Sequence, residues 1–490
     1  MGDAMTIDRK QVEIIVEKVL ENLSSAGQNS SGDAPSPHGS GGVFQEMEDA
    51  IQAAVVAQQA LVRLPLSTRE KIVQTLRDVG WANREEYGRM ELEETELGAV
   101  DGTVLKIETA CGVPGMEDLA SEVYMGDRGV TINERLPVGV IASVNAVTNA
   151  APGIIHNGIM MLSGGNTVVH NPHPKTKIIS ARVVRDVNAA IVAAGGPSNC
   201  MTTVAEPDIP TAQYVMTHPK IDLISVTGGH RVVEFATKTG KRVIAGGPGN
   251  PPVVVDETAD LEHAARCIIR GASLSNCTPC SSEKEIFTVA SVADKLKAHL
   301  VKHGTYELSE AQGAALIKEI FKEIRPGRVP SVINMEYIGK PAHIILKRAI
   351  DLDVPPETRI AILETDKEHP LIWTEQIMPI LPFVRCRDAK EAMTMGVAAE
   401  QGLRHTIVFH SNSLKNLAYM SSIADASQFV KNASSIGALG VEGEGFKSLH
   451  IATGGEGLVR PRVYTLIRRC VLTDDFRYRF GTEANPSGQR

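Results

Sequence analysis

Two cysteines stand three residues apart in the segment GASLSNCTPCSSEKE, residues 271–285. Cys277 and Cys280 allow three interpretations: a redox-active pair, two zinc ligands, or one nucleophile with the other cysteine incidental. A thioredoxin-like pair opens a helix near the start of a small domain, whereas this pair follows a predicted helix in the second half of the chain. A zinc site needs further ligands, and no second C-x-x-C occurs. A single thiolate suits addition to a carbonyl group, because it is both a nucleophile and a fair leaving group.

A polar pair, Thr148–Asn149, follows the apolar segment LPVGVIASVNAV, residues 136–147. An asparagine amide at the end of a buried strand can donate a hydrogen bond to a developing oxyanion. The same pattern suits a turn in which the asparagine bonds its own backbone. On this segment alone the turn is the better-supported interpretation.

A Thr-Gly-Gly element, residues 227–229, lies between a predicted strand at 221–226 and a predicted helix at 231–239. Small residues let the backbone approach a ligand, and a helix N-terminus favours a phosphate. Paired glycines are equally typical of a plain strand-to-helix turn. No G-x-G-x-x-G occurs, so the usual dinucleotide fingerprint is absent.

Composition narrows the classes of protein. The 490 residues carry a net charge of −8 and only 4% aromatic residues, which argues against nucleic-acid binding. No apolar run reaches the ~18 residues that a membrane helix needs, and no signal peptide is predicted. Seven cysteines, an odd number, do not indicate a secreted disulfide framework, so we expect a reducing cytoplasm.

The N-terminal segment differs from the rest of the chain. The pattern of residues 1–23 predicts an amphipathic helix with Val12, Ile15, Val16, Val19 and Leu23 on one face. Residues 24–42 are almost entirely Ser, Gly, Pro, Asp and Asn, which is typical of a flexible linker. Such a helix can pack back on its own domain or bind a partner groove, and the tether favours the partner.

From residue 43 onward, strand and helix patterns alternate, which predicts an α/β fold with a parallel sheet covered on both faces. Strands are predicted at 138–147, 167–170, 221–226, 243–244, 253–256 and 406–409. Helices are predicted at 44–63, 67–98, 176–194, 231–239, 258–271 and 293–303.

Six segments between residues 136 and 477 resemble the aldehyde dehydrogenase superfamily and occur in the same order along the chain. Within the superfamily they resemble the CoA-acylating acetaldehyde and propionaldehyde dehydrogenases of bacterial microcompartments. The segments are LPVGVIASVNAVTNAAP, NTVVHNPHPKTK, DLISVTGGHRVVEFATKTGKRVIAGGPGNPPVVVDETADLE, SNCTPCSSEKE, EQIMPILPFVR and IATGGEGLVRPRVYTLIRRCVLTDDFR.

The resemblance implies that Cys280 is the catalytic nucleophile, that Cys277 is a bystander and that Asn149 donates to the oxyanion. It implies NAD and CoA as cofactor and co-substrate, and no metal. The NAD site would consist of Thr148, of His170, Asn171, Pro172 and His173 on the adenosine side, of Thr227, Gly228 and Gly229 at the nucleotide-binding turn, and of Glu375 at the nicotinamide ribose.

The resemblance also implies an aldehyde dehydrogenase fold with a Rossmann-like cofactor-binding domain, an α/β catalytic domain and a small oligomerisation element. The implied division is 43–245 for the cofactor-binding domain, with an oligomerisation segment at 124–137, then 246–437 for the catalytic domain, and 438–490 for a return to the cofactor domain and an oligomerisation tail. We therefore expect a homo-oligomer. Residues 1–23 resemble encapsulation peptides, which implies a shell protein as partner and a place in a microcompartment lumen in the bacterial cytoplasm.

One departure from the wider superfamily bears on the reaction. Hydrolytic members carry a water-activating glutamate just before a Gly-Gly element, and the matching stretch, IAGGPGNP, places Ala245 there. Without that base, water attack on a thioester is slow, whereas the CoA thiol, with a pKa of about 8–9, needs less help. We therefore predict oxidation of a short-chain aldehyde to acyl-CoA, with a hydrolytic enzyme that releases the free acid as the alternative. A scaffolding protein and a thiol–disulfide oxidoreductase are further, less favoured hypotheses.

Overall fold

The structure is a computed structural model that describes residues 39–476. The predicted N-terminal helix, 1–23, and residues 24–38 of the predicted linker lie outside the described residues. The last residues of that linker form a hairpin, in which Gly39–Ser40 (β1) pairs antiparallel with Val43–Phe44 (β2).

The first half of the described chain builds a seven-stranded sheet. Its further elements, with a hairpin that leaves the sheet, are α1 (Met47–Leu61), α2 (Leu66–Thr95), α3 (Val100–Cys111), β3 (Glu122–Gly126), β4 (Gly129–Pro137), β5 (Val140–Val144), α4 (Ala151–Ser163), β6 (Thr167–Asn171), α5 (Lys177–Ala193), β7 (Met201–Val204), α6 (Ile209–Thr217), β8 (Leu223–Thr227), α7 (His230–Lys238) and β9 (Arg242–Gly246). The strand order is β1-β2-β7-β6-β5-β8-β9, and every pair except β1–β2 is parallel. From β5 the chain adds β6 and β7 on one side and then β8 and β9 on the other, so the boundary between β5 and β8 is the switch point of this sheet. Open α/β sheets bind ligands at the carboxyl ends of strands at such a point.

The second half builds another seven-stranded sheet, all parallel, in the order β12-β15-β16-β11-β10-β17-β18. Its elements and those that follow are β10 (Pro252–Val255), α8 (Leu261–Ala272), β11 (Glu285–Val289), α9 (Ala290–Lys302), β12 (Thr305–Leu308), α10 (Glu310–Ile320), β13 (Phe321–Glu323), β14 (Val332–Ile333), α11 (Ala342–Ile350), β15 (Ile360–Thr365), β16 (Ile380–Cys386), α12 (Ala389–Ala399), β17 (Thr406–His410), α13 (Leu414–Ile423), β18 (Gln428–Lys431), β19 (Ile451–Ala452), β20 (Gly457–Leu458) and β21 (Thr465–Leu472).

A third, three-stranded antiparallel sheet joins the end of the chain to its first half. β21 pairs with β4 from Thr465, opposite Pro137, to Leu472, opposite Val130, and β3 forms the other edge. Large apolar side chains on this sheet are exposed, and they are Val123, Tyr124, Met125, Leu466, Ile467 and Val471. This sheet contains most of the segment 124–137 and, in β21, part of the C-terminal tail, the two segments that the resemblance assigns to oligomerisation.

The predicted α/β class is confirmed, because parallel strands alternate with helices in both large sheets. β5 and β6 are buried along their whole length, as their apolar sequences predict. The helix predicted at 258–271 begins later, at Leu261, because the Asp260 side chain accepts the His263 N–H and caps it there. The central strands β11, β15 and β16 were not predicted.

Within residues 39–476, no helix is long and apolar enough to cross a membrane. In the same range, no group of three or more His, Cys, Asp or Glu side chains could hold a metal ion.

Candidate active site

One cavity lies where the two large sheets meet, between the carboxyl edge of the first sheet and the amino edge of the second. The first sheet contributes the residues that follow or end β5, β8 and β9, namely 146–149, 227–229 and 246–248. The second sheet contributes residues that precede β11 and β16, namely Leu274, 278–281, Glu375 and Ile377. The cavity therefore joins the switch point of the first sheet to the cysteine-containing loop of the second.

The loop that leads to Cys280 contains three consecutive residues, Ser275, Asn276 and Cys277, in the left-handed region, with φ of 47°, 56° and 65°. Each such non-glycine residue costs on the order of 1–3 kcal/mol, so surrounding contacts must hold the turn. The Asn276 amide Nδ2 donates to the carbonyl oxygens of Gly98 at 2.7 Å and Gly339 at 3.0 Å. A Cβ on Gly98 would lie 2.3 Å from the Ser275 hydroxyl, so a glycine is required for this close approach.

A buried lysine secures the same loop from inside. The Lys284 Nζ donates to the Cys277 carbonyl at 2.9 Å and to the Pro279 carbonyl at 3.4 Å, and it lies 3.3 Å from the Cys277 Sγ. Burial opposes the charge, but the nearby Cys277 and Glu375 outweigh it and raise the pKa of Lys284. Lys284 therefore keeps its proton and fixes the carbonyl group directly before Cys280.

The two cysteines have different surroundings. Cys277 is fully buried and does not line the cavity, whereas Cys280 is partly exposed and does. Burial, followed by the Glu375 carboxylate, raises the pKa of Cys280 to about 11, although Lys284 and the N–H groups of Cys280 and Ser281 act in the opposite direction. With no ligand present, the Cys280 thiol is therefore protonated at neutral pH.

Asn149 lines the same cavity from the other sheet, in the turn between β5 and α4. Its side-chain amide forms no hydrogen bond with any residue of the described chain, and its Oδ1 is buried without a partner. The amide Nδ2 is therefore available to donate to a ligand oxygen beside Cys280.

A glutamate and a lysine lie under this turn, and the sequence analysis did not single out either of them. Lys106 of α3 lines the cavity and donates from Nζ to the Thr148 carbonyl at 2.6 Å. Glu91 of α2 accepts the Ala151 N–H at 3.0 Å, and its carboxylate lies 3.8 Å from the Lys106 Nζ. The two side chains thus bond the backbone on both sides of Asn149.

The Thr-Gly-Gly turn lies at the carboxyl end of β8, and Thr227, Gly228 and Gly229 all line the cavity. The N–H groups of His230 and Arg231, at the start of α7, have no partner within the described chain. A Cβ on Gly229 would meet no atom within 4 Å. Free N–H groups beside open space suit a phosphate, so this turn fits the pyrophosphate of a dinucleotide.

The structure does not bring the predicted adenosine-side residues into this cavity. His170, Asn171, Pro172 and His173 lie at and beyond the carboxyl end of β6, next to β5 at the same edge of the sheet. His170 is fully buried, which lowers its pKa to about 3, and its Nε2 has no partner. The Asn171 Oδ1 is also buried without a partner.

Thr148 and Glu375 both line the cavity, on opposite walls. Burial raises the pKa of Glu375, and Lys284 and the Gly249 N–H lower it. Among the described residues that line the cavity, Glu375 is the only carboxylate.

Comparison with known proteins identifies the family. Residues 40–309 match the aldehyde dehydrogenase family. The chain belongs to the aldehyde dehydrogenase family. It is 41% identical over 474 residues to the acetaldehyde dehydrogenase (acetylating) EutE of Salmonella typhimurium, covering 96% of this chain and 100% of that protein.

Two solved aldehyde dehydrogenases share the fold closely. A propionaldehyde dehydrogenase from the fucose utilisation microcompartment of Clostridium phytofermentans has a TM-score of 0.85 and 39% identity, covering 88% of this chain and 98% of that one. The propionaldehyde dehydrogenase of Rhodopseudomonas palustris, solved with bound CoA and an acylated cysteine, has a TM-score of 0.86 and 37% identity, covering 89% of this chain and 99% of that one.

Ala245, which the resemblance aligns with the water-activating glutamate of hydrolytic aldehyde dehydrogenases, does not line the cavity. Its methyl group packs against the apolar core on one face of the first sheet, and its carbonyl accepts the Thr453 N–H at 3.1 Å. The next residues, Gly246 and Gly247, reach the cavity wall instead.

The sequence offered unequal signals for the residues it missed in this aldehyde dehydrogenase. Lys284 stands in the cysteine segment itself, as a charged residue directly before a buried strand, and that position could have marked it. Lys106 shares the buried face of α3 with Thr103 and Ala110, so one charge on an otherwise uncharged helix face was the only local sign.

Proposed function

We propose that this aldehyde dehydrogenase oxidises a short-chain aldehyde, propionaldehyde or acetaldehyde, with NAD and CoA to acyl-CoA and NADH. The observation that carries the proposal is the meeting of Cys280 and Asn149 in one cavity that also reaches the switch point of the first sheet. Relatives that match nearly the full chain are named for CoA-acylating oxidation of such aldehydes.

Cys280 supplies the nucleophile. After its thiol loses a proton, the sulfur adds to the aldehyde carbon and forms a thiohemiacetal. The charge that develops on the aldehyde oxygen is stabilised by the Asn149 amide, together with the backbone N–H of Cys280. The strained turn before Cys280 and the buried Lys284 hold the sulfur in place, so little reorganisation is needed during addition.

Bound NAD would supply the acceptor for the hydride on the thiohemiacetal carbon. In this proposal Thr227, Gly228 and Gly229 hold its pyrophosphate at the start of α7, and Thr148 and Glu375 lie near its reactive end. The adenosine side falls to His170, Asn171, Pro172 and His173 at the same sheet edge. Loss of hydride leaves an acyl group on Cys280 as a thioester.

The acyl group passes to CoA rather than to water. Ala245, at the position where hydrolytic members carry the water-activating glutamate, offers no base and does not line the cavity. Water therefore lacks the general base that hydrolytic members use, whereas a thiol attacks a thioester more readily. CoA would enter after NADH leaves, since both carry an ADP-like portion.

The test measures NADH formation with acetaldehyde and propionaldehyde, with and without CoA, and identifies the product by mass. We expect repeated turnover only with CoA and an acyl-CoA product. Equal turnover without CoA and a free-acid product would establish the hydrolytic alternative instead. A series of aldehydes would then rank the two substrates, which differ by one methylene worth about 1–3 kcal/mol in a pocket.

We also propose that the chain forms a homo-oligomer through the sheet β3-β4-β21, because that sheet exposes Tyr124, Met125 and Ile467. Light scattering at micromolar concentration should give a multiple of the 52.6 kDa chain mass, and a monomer mass would contradict the proposal. The predicted helix in residues 1–23 would bind a shell protein and place the enzyme in a microcompartment lumen within the bacterial cytoplasm.

A further inference from the structure

The turn that carries Asn149 rests on a buried ion pair contributed by two helices outside the sheet. Lys106 has a side-chain exposure of 8% and Glu91 of 4%, and their charged groups are 3.8 Å apart. Each also makes one bond to the turn, Lys106 to the Thr148 carbonyl and Glu91 to the Ala151 N–H.

Joining two helices by a buried ion pair carries a large desolvation cost. Removing two charges from water costs several kcal/mol per ion, and apolar residues of similar volume often stabilise a fold equally well or better. α2 and α3 already pack through apolar side chains, which include Leu76, Tyr87 and Ile107. The pair is therefore better explained by what it does to the turn than by what it adds to the stability of the fold.

The Asn149 side chain has no bond of its own to fix it. The turn is a single short 3-10 segment, Val147–Asn149, in which the Asn149 N–H bonds the Ala146 carbonyl at 3.2 Å. Gly153 leaves open the space beside the amide, since a Cβ there would lie 3.4 Å from the Asn149 Nδ2. The direction of the amide consequently depends on the backbone at residues 148–151, and the pair bonds both ends of that stretch.

We propose that Lys106 is a positioning residue for acyl transfer to Cys280: it holds Asn149 in its oxyanion-binding place through the Thr148 carbonyl, and Glu91 holds Lys106 and the far side of the turn. The inference takes from the proposed function only the role of Asn149 as an oxyanion donor. It does not depend on the identity of the aldehyde or of the cofactor.

The test uses p-nitrophenyl acetate, an ester that acylates a reactive thiol through a tetrahedral oxyanion without aldehyde, NAD or CoA. Glu91→Gln keeps the acceptor for the Ala151 N–H and keeps Lys106, so it is the matched control. Glu91→Gln/Lys106→Met then removes the bond to Thr148 without leaving a buried carboxylate unpaired. We expect the double variant to acylate Cys280 about 10- to 100-fold more slowly than the control, since a displacement of about 1 Å can cost about 10²-fold.

Two further measurements separate positioning from general damage. Alkylation of Cys280 by iodoacetamide needs the thiolate but forms no oxyanion, so it records the effect of losing the Lys106 charge, which interacts with the Cys280 thiolate. Acylation should therefore fall further than alkylation. In the Asn149→Ala background, the same two substitutions should slow acylation no further, because residues that act through one group are not additive. If Met is not tolerated at this site, Lys106→Gln in the Glu91→Gln background is too short to reach Thr148 and serves the same purpose.

Acylation at the control rate would overturn the inference, as would an equal fall in acylation and alkylation or a full additional loss in the Asn149→Ala background. Failure of the proposed function would appear separately, as absence of NADH formation by the wild-type enzyme with every aldehyde tested.

Discussion

The two walls of the cavity come from two seven-stranded sheets, but the sheets present opposite edges to it. The first sheet presents the carboxyl ends of β5, β8 and β9, and its wall consists largely of small residues and backbone, such as 227–229 and 246–247. The second sheet presents its amino edge, and its wall carries the thiol of Cys280 and the carboxylate of Glu375.

Because of this difference, the first wall is suited to binding phosphate groups and the second wall to carrying the nucleophile. The carboxyl edge follows the general rule for open α/β sheets, because free N–H groups at a helix start can bind phosphate without any side chain. The amino edge has no such advantage, and its nucleophile depends on a strained turn, a buried lysine and contacts from Gly98 and Gly339. Changes in the first wall should therefore alter affinity, and changes in the second should alter the rate of reaction.

The largest expected effect is at the nucleophile. Cys280→Ala should abolish formation of the acyl-enzyme, because it removes the only thiol among the described residues that line the cavity. Mass spectrometry of the enzyme after incubation with aldehyde and NAD would show the missing acyl adduct. The matched control is Cys277→Ala, which we expect to retain most activity, since that sulfur is buried away from the cavity. The reverse pattern would show that the nucleophile is misassigned.

Asn149 lies on the first wall but has a proposed role in the reaction. It therefore tests whether every residue of the first wall acts in binding alone. Asn149→Ala should slow NADH formation in a single turnover by about 10²–10³, the usual loss for one oxyanion donor. The affinity for NAD, measured by fluorescence titration, should barely change. A large loss of NAD binding with normal single-turnover chemistry would instead make Asn149 a cofactor residue.

The ionisation of Cys280 gives a smaller, graded effect. Its pKa of about 11 lies above the ordinary pKa of a free cysteine thiol, mainly because of burial. The thiolate fraction therefore rises as the pH rises toward that pKa. Alkylation of the ligand-free enzyme by iodoacetamide should accelerate about tenfold per pH unit between about pH 7 and 9. A rate that is flat across this range would mean that the resting cysteine is already a thiolate.

The sequence predicted the first wall better than the second for identifiable reasons. β5 and β6 are continuous apolar segments that end in polar residues, so their carboxyl ends were visible. The left-handed turn at 275–277 contains no glycine, and its conformation comes from contacts with residues 98 and 339, which are remote in the chain. β11 begins at Glu285, the last residue of the charged stretch EKE, and these charges concealed it.

The site residues also differ in how far the sequence could predict them. Cys280 and Asn149 were found through the family resemblance, and their catalytic roles stay predictions, as does the domain division between residues 245 and 246. The single charge on the buried face of α3 could mark Lys106, but its role could not be predicted from the sequence, because its partner carbonyl, on Thr148, lies 42 residues away. A lysine that bonds backbone leaves no pattern in the residues around its partner.

A substitution in the binding wall should change affinity more than rate. Gly229 has φ of −67° and no atom within 4 Å of a Cβ, so the fold tolerates a side chain there. Gly229→Val should raise KM for NAD and CoA by about tenfold while kcat at saturation changes little, the pattern for lost uniform binding. Gly229→Ala, which adds one methyl group, should give a smaller rise in KM. A fall in kcat with unchanged KM would contradict the division between the two walls.

The smallest expected effect on catalysis comes from the segment that precedes both walls. Every proposed active-site residue follows residue 43, so deletion of residues 1–38 should leave turnover within about twofold of wild type, the range expected when no residue of the site is removed. Residues 39–42 are kept because β1 pairs with β2 and the Gly42 carbonyl accepts the Thr203 N–H at 2.9 Å.

Turnover is measured together with co-purification of shell proteins, which the deletion should abolish if the predicted amphipathic helix binds a partner groove. Deletion of residues 1–42 is the comparison, and only this longer deletion should destabilise the edge of the first sheet. Loss of turnover in the shorter deletion would show that the N-terminal segment supports the cavity, and retained co-purification would place the shell contact elsewhere on the enzyme.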